Sequence, residues 1–151
     1  MIAKIQRELH DQTGEPTPFR AFAEAILADA AAAAGAKVAL TVEGGAAPLH
    51  PDQATTVTLV MLESFNNALE HGFGETGAGQ VRVSLDQSGE IHLLTVRDDG
   101  KGPPAGFDPA TSNSLGLRIV RAMAQQLNGT FEMAREDGWT VCQLRYAPNL
   151  D

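Results

Sequence analysis

The 151-residue sequence predicts one α+β domain in which a mixed sheet carries its helices on one face. Segments with apolar residues at helical spacing alternate with shorter segments in which every second residue is apolar. The length is that of one ordinary domain, and 43% of the residues are apolar, which is enough to form a single core. No internal repeat and no shift in composition indicates a second domain.

The first half of the chain predicts a polar segment, two helices and one strand. Residues 1–16 are mostly polar and end in turn-forming residues, so we expect the folded domain to span residues 17–151. Residues 18–34 are rich in alanine and carry phenylalanine at helical spacing, which predicts a helix. Alternation over residues 38–42 predicts a strand. A proline and an aspartate suit the first turn of a long second helix, over residues 51–71.

The second half predicts four strands, one loop and one helix. Alternation over residues 81–85 and an apolar run over 91–97 predict two strands joined by a tight turn. Residues 103–114 are rich in turn-forming types and lack periodicity, which predicts a mobile loop. Helical spacing returns over residues 115–127. The last two strands are predicted near residues 130–133 and 139–146.

The composition argues against several classes of partner. With a formal net charge of −8, the chain has no cluster of lysine and arginine to neutralise nucleic-acid phosphates or to hold a membrane surface. Its most apolar stretch, residues 21–36, is interrupted by acidic residues and cannot span a bilayer. The N-terminus lacks the pattern of a signal peptide, and the lone Cys142 excludes an internal disulfide. We therefore expect a cytoplasmic location, with Cys142 as a small buried side chain.

Asp98 lies at the end of the strand predicted over residues 91–97, where its carboxylate can form a hydrogen bond with a nucleotide base. Leu94, Val96 and Asp98 share one strand face, so the carboxylate continues an apolar stripe. It can accept a hydrogen bond from the exocyclic amine of adenine, whereas guanine presents an acceptor at that place. Gly100 and Gly102 would let the backbone pass close to the base. Taken alone, the same residues are also compatible with an ordinary hairpin turn.

A polar stripe near the end of the second helix predicts a metal and catalytic site. Glu63, Asn67 and His71 follow one another at i, i+4 spacing, and they border the apolar face. The amide oxygen of Asn67 can bind Mg²⁺. Glu63 can orient or deprotonate a nucleophile, and His71 can contact phosphate or cap the helix. A solvated polar face is the alternative interpretation.

The start of the third helix predicts a phosphate site. Ser114-Leu115-Gly116-Leu117 opens this helix, and the free backbone N–H groups of a helix start favour polyphosphate binding. Ser114 as an ordinary N-cap is the alternative. Arg118 and Arg121 are predicted to be exposed and available for phosphate or partner contact.

In this order and spacing, the three motifs resemble the N, G1 and G2 boxes of the ATPase superfamily of gyrase, the ATP-dependent heat-shock chaperone, histidine kinases and MutL. The resemblance implies the Bergerat fold, an α/β sandwich that binds Mg-ATP under a flexible lid. It also implies the role of each matched residue. Glu63 would be the N-box acid and Asn67 the metal ligand. Asp98 would be the adenine-binding acid, Gly100 and Gly102 would complete the G1 box, and Thr140 would support the adenine contact. Gly116 and its neighbours would bind phosphates.

Residues 115–130 are most similar to the catalytic domain of bacterial sensor histidine kinases. That similarity implies a protein phosphoacceptor, either a histidine-bearing dimerisation domain in a response-regulator pathway or, if the chain is like the anti-sigma-factor serine kinases, an anti-anti-sigma factor. A catalytically silent adaptor or sequestering partner is a third possibility. Glu70 motivates it, because histidine kinases usually place lysine there, near the phosphates. We also expect the acceptor hairpin to be absent from this chain, and His10 to be an exposed residue rather than an acceptor.

Overall fold

The computed structural model describes residues 19–44, 51–73, 78–103 and 106–147. The polar segment over residues 1–16, with His10, lies outside this part. The described residues form a five-stranded sheet in the order β1-β2-β3-β5-β4. Its strands are β1 (Lys37–Gly44), β2 (Ala78–Ser88), β3 (Ile91–Asp98), β4 (Thr130–Glu136) and β5 (Trp139–Tyr146).

The sheet is mixed, as the sequence predicts. Strands β1 and β2 are parallel, and every other neighbouring pair is antiparallel. The register places Asp98, the last residue of β3, directly opposite Thr140 near the start of β5. Two residues that are 42 positions apart in sequence (98 to 140) therefore lie side by side at one end of the sheet.

Three α-helices in the described part form the second layer, namely α1 (Phe19–Ala34), α2 (Pro51–Asn67) and α3 (Leu115–Gln126). Their apolar residues join one face of the sheet in a single core, with Phe22, Phe65 and Leu94 all at most 1% exposed. On the other face of the sheet, Arg82 and Arg97 are exposed. The prediction of helices on one face of a mixed sheet is thus confirmed.

Several element boundaries differ from the predicted ones. Strand β2 is longer than residues 81–85, and β4 continues to Glu136, three residues beyond the predicted Met133. For β4, the reason for the extra length lies in the β4–β5 turn, which consists only of Asp137 and Gly138, with φ values of 51° and 84°. Two residues with positive φ form the tight turn that fits twisted strands, so both strands pair up to its edge.

The predicted long helix over residues 51–71 changes type before its end. Helix α2 stops at Asn67, and a π-helical turn covers Ala68–Gly72, in which Phe73 N donates to Ala68 O over 3.2 Å. The predicted continuous α-helix to His71 is therefore wrong beyond Asn67, where the backbone changes to a π turn. The role of the His71 side chain stays a prediction.

Candidate active site

A cavity of about 350 Å³ lies between helices α2 and α3, the adjoining ends of β3 and β5, and the lid loop (residues 103–114, of which 104 and 105 are not described). Its volume falls in the range of small-molecule sites. Six of the residues predicted from the sequence line it, together with seven others. The lining residues are Ser64, Asn67, Ala68, Asp98, Gly102, Pro103, Phe107, Ser112, Ser114, Leu117, Met133, Thr140 and Cys142.

Asp98 is a buried carboxylate in this cavity, with 5% of its surface exposed. Burial raises its pKa above the usual value, while a hydrogen bond from Gly100 N to Oδ1 at 3.1 Å and the charge of Arg135 act in the opposite direction. Burying a charged carboxylate costs free energy, and the hydrogen bond from the backbone to one of its oxygens offsets part of this cost. The remaining acceptor capacity is available to a donor that enters the cavity.

The turn after β3 is fixed from two sides. Asp99 extends the ladder to β2, because its Oδ1 accepts from Gln80 N at 2.8 Å and its N donates to Gln80 O at 3.2 Å. Gly102 has φ +75°. A Cβ added there would lie 2.7 Å from Thr140 Oγ1 and 2.9 Å from Arg135 Cδ. Gly102 is therefore required both by its backbone conformation and by the close approach of Thr140.

Replacing Gly102 with alanine is expected to weaken Mg-ATP binding by about tenfold, because the new methyl group displaces the Thr140 hydroxyl. Gly89 is the matched control, since its φ is +61° and a Cβ there meets nothing within 4 Å. Gly89→Ala should cost about 1 kcal/mol of stability for the left-handed conformation and leave ATP affinity unchanged. Titration calorimetry and thermal melts measure both effects, and equal ATP affinities for the two variants would contradict the assignment.

Glu63 and Asn67 reach the site from α2, as their i, i+4 spacing predicts. Asn67 lines the cavity, and Glu63 lies against the start of α3. A Cβ added at Gly116 would lie 2.8 Å from Glu63 Oε2, so glycine at 116 leaves room for this carboxylate. Burial raises the pKa of Glu63, and the charge of Glu70 raises it further. The side chain of His71 lies outside the described part of the structure.

The start of α3 confirms Ser114 as an N-cap, and phosphate binding there stays a prediction. Ser114 is an N-cap, because its Oγ accepts from Leu117 N at 3.3 Å, and the first intrahelical bond runs from Arg118 N to Ser114 O. The Leu117 amide is thus already used, and its side chain, 3% exposed, lines the cavity. The amides of Leu115 and Gly116 precede the first intrahelical bond, so the helix itself does not use them.

Arg121 differs from its predicted role as an exposed residue. It is half-buried, and its Nη1 donates to the Pro109 carbonyl at 2.7 Å, which ties α3 to the lid loop. Within that loop Asp108 Oδ1 accepts from Ala110 N at 2.9 Å. Arg118 is exposed, as predicted. The loop lacks regular structure, as expected from its composition, and its mobility stays a prediction.

The cavity has polar groups that suit a nucleotide. Asn67 Nδ2 is buried and makes no hydrogen bond within the described part of the chain, whereas the Ser64 hydroxyl interacts with the Cys142 thiol. A buried polar atom left without a partner is costly, and Asn67 lines the cavity, so its amide fits a polar ligand. Nowhere among the described residues do three His, Cys, Asp or Glu side chains gather into a metal cluster. The amide oxygen of Asn67, in the cavity lining, is the kind of ligand that Mg²⁺ takes together with phosphate and water.

Sequence reasoning missed several residues of the site. Phe107 and Met133 add apolar surface, and Ser64 adds a hydroxyl. Ser64 precedes Phe65 on α2 and gave no periodic signal. Cys142 was predicted to be buried, and it is, but its place in the cavity was not foreseen. Burial raises the pKa of the Cys142 thiol to about 12, so it is an apolar wall rather than a nucleophile.

Comparison with known proteins defines the class. Over residues 52–148 the chain matches the model of the histidine kinase-, DNA gyrase B-, and HSP90-like ATPases, and it belongs to this family. It is 40% identical to the sensor histidine kinase PdtaS of Mycobacterium tuberculosis over 97 residues, which are 62% of this chain and 19% of that protein. It is 37% identical to the anti-sigma F factor of Bacillus licheniformis over 67 residues, which are 43% of this chain and 46% of that protein.

A solved structure gives the same result for the fold. The histidine kinase domain of the Erythrobacter litoralis EL346 blue-light activated histidine kinase superposes with a TM-score of 0.78 at 25% identity, covering 95% of this chain and 70% of that one. The chain is thus an ATPase domain of the histidine-kinase type, in a family that binds ATP, generally with Mg²⁺. It spans about a fifth of the mycobacterial relative's length. None of the described helices has the length and apolarity that a bilayer-spanning segment needs.

Proposed function

We propose that this chain is the Mg-ATP-binding catalytic module of a histidine-kinase-type signalling protein, which donates the γ-phosphoryl group of ATP to a protein acceptor on another domain or chain. One observation carries the proposal, namely that a single cavity gathers Asp98, Thr140 and Asn67, with Glu63 and the start of α3 beside it. The 40% identity to a sensor histidine kinase supports the histidine type over the alternatives.

The buried carboxylate of Asp98 would select adenine. It accepts a hydrogen bond from the exocyclic amine, whereas the carbonyl oxygen of guanine would face it as a second acceptor and leave both groups unpaired. Thr140 would complete the contact from β5, because the register places it opposite Asp98. The apolar side chains of Phe107, Leu117 and Met133 would cover the ring.

The triphosphate would extend toward α3 and Asn67. The amides of Leu115 and Gly116 would donate to phosphate oxygens, with the positive end of the helix dipole behind them. Asn67 would offer its amide oxygen to Mg²⁺, and the bound ion would offset charge on the phosphates during transfer. Glu70 adds negative charge near the end of α2, so we expect it to weaken binding rather than to abolish it.

Glu63 would serve the transfer step. The bond between the γ-phosphorus and the bridging oxygen breaks and leaves ADP, while a new bond forms between that phosphorus and the acceptor atom. The acceptor loses a proton, which Glu63 would take. Its raised pKa, which follows from burial first and from Glu70 second, brings it closer to the range of an effective general base.

The test uses ATP labelled at the γ-phosphate and two surrogate acceptors, a histidine-bearing dimerisation domain from a sensor kinase and an anti-anti-sigma factor. We expect label on the first acceptor, in a bond that acid hydrolyses and alkali spares. Acid-stable label on the second acceptor would indicate a serine kinase, the alternative supported by the anti-sigma F relative. ATP binding without transfer to either would favour the silent adaptor that Glu70 suggests.

A further inference from the structure

Arg135, on the edge strand β4, bridges two parts of the candidate adenine site from outside the cavity. Its Nη1 donates to Gly100 O at 2.9 Å and to Thr140 Oγ1 at 2.8 Å. The β4–β5 register places Arg135 directly opposite Thr140. One guanidinium nitrogen carries two hydrogens, so both contacts are satisfied together.

The hydrogen bond from Arg135 determines the direction in which the Thr140 hydroxyl can donate its own proton. A threonine hydroxyl has one proton and two lone pairs, and it rotates freely unless a neighbour fixes it. Here a cationic N–H group occupies one lone pair, and its charge repels the hydroxyl proton. That proton is therefore directed away from Arg135, toward the cavity that Thr140 lines. Thr140 becomes a fixed donor beside Asp98, which is a fixed acceptor.

We propose that Arg135 is a positioning residue that sets nucleotide specificity by holding the Thr140 hydroxyl as a hydrogen-bond donor to N1 of adenine, directly or through one water. The inference rests on the proposed function, because it concerns the same site. An acceptor beside a donor, Asp98 with Thr140, matches the exocyclic amine and N1 of adenine. Guanine presents the reverse order, an acceptor and then a donor.

A purely structural role for Arg135 is the competing explanation, since the same two bonds also fasten the turn after β3 to β5. The roles differ in one measurable respect. A structural role lowers the affinity for every nucleotide alike, and a role through the charge on Asp98 lowers the part of the affinity that depends on the exocyclic amine. A role through the Thr140 hydroxyl lowers only the part that depends on N1. Comparing ATP with 1-deaza-ATP, in which a C–H group replaces N1, separates the last role from the other two.

The experiment titrates the full chain calorimetrically with the magnesium complexes of ATP, 1-deaza-ATP and purine riboside triphosphate, which lacks the exocyclic amine. The unmodified chain should bind each analogue about tenfold more weakly than ATP, for one lost hydrogen bond each. Arg135→Met should lower the affinity for ATP by about tenfold. This variant should bind 1-deaza-ATP as tightly as ATP, while it still binds purine riboside triphosphate more weakly than ATP. Arg135→Gln, which also removes the charged donor, should behave like Arg135→Met.

Arg145→Met is the matched control, because Arg145 is exposed on the strand face opposite to the cavity. This variant should still bind 1-deaza-ATP and purine riboside triphosphate more weakly than ATP, as the unmodified chain does. If Arg135→Met and Arg135→Gln still bind 1-deaza-ATP more weakly than ATP, as the unmodified chain does, the positioning role is overturned and the proposed function stands. If the unmodified chain binds no ATP, the proposed function fails and this inference fails with it.

Discussion

Replacing Glu63 with glutamine is expected to lower phosphoryl transfer by about 10²- to 10⁴-fold, the usual contribution of a general base. Glutamine keeps the size of the side chain, so it should occupy the same space beside Gly116 and leave Mg-ATP affinity nearly unchanged. It cannot accept the proton that the acceptor loses. Transfer to the surrogate acceptor, measured in single-turnover experiments, reports the rate, and calorimetry reports the affinity.

Glu70→Gln is the matched control for Glu63→Gln, because it makes the same chemical change seven residues further along the chain. It should lower the transfer rate far less than Glu63→Gln does, because Glu63 is still present as the base. The charge of Glu70 raises the pKa of Glu63, so its removal should lower that pKa and move the loss of rate at acid pH to a lower pH. Transfer that survives in Glu63→Gln at the unmodified rate would exclude Glu63 as the base.

Replacing Asp98 with asparagine is expected to lower Mg-ATP affinity by about 100-fold, because an amide donor would face the exocyclic amine of adenine and leave buried groups unpaired. The adjacent Asp99→Asn is the matched control, since an amide oxygen can still accept from Gln80 N and Asp99 does not line the cavity. Calorimetric titration of both variants measures the difference. Asp98→Asn with unchanged ATP affinity would show that the adenine contact is assigned to the wrong residue.

Asp98→Asn should also keep or increase the stability of the fold at pH 7. Burial raises the Asp98 pKa in the folded state, so the folded chain binds the proton more tightly than the unfolded chain. Stability is therefore lost as pH rises from the unfolded value, near 3.8, through the raised folded value. A neutral asparagine avoids it. Thermal melts at pH 7 thus separate a loss of binding from a loss of folding.

Much of the site follows from local periodicity. The alternation of β3 places Asp98 on the same face as Leu94 and Val96, which are core residues, so a buried carboxylate at the strand end was predictable. Helical spacing likewise brings Glu63 and Asn67 to one side of α2. The pairing of Asp98 with Thr140 is a matter of sheet register. Thr140 was therefore inferred only from the resemblance to the ATPase superfamily.

Other features depend on tertiary structure that no local pattern encodes. The π turn over Ala68–Gly72 follows a continuous helical pattern, and no proline or glycine interrupts it before Gly72. Arg135 reaches the site only because the Asp137-Gly138 turn sets the β4–β5 register. Cys142 and Met133 line the cavity for the same reason, as cross-strand partners on its side of the sheet. Such residues become visible only when the strands are paired.

Calorimetric titration of the unmodified chain with Mg-ATP and with Mg-GTP tests the central claim most directly. The claim is that the cavity around Asp98 and Thr140 binds an adenine nucleotide. We expect saturable binding of Mg-ATP at one site per chain, weaker binding when the metal is chelated, and binding of Mg-GTP weaker by at least about tenfold. A folded chain that binds neither nucleotide, or binds both equally, would contradict the account.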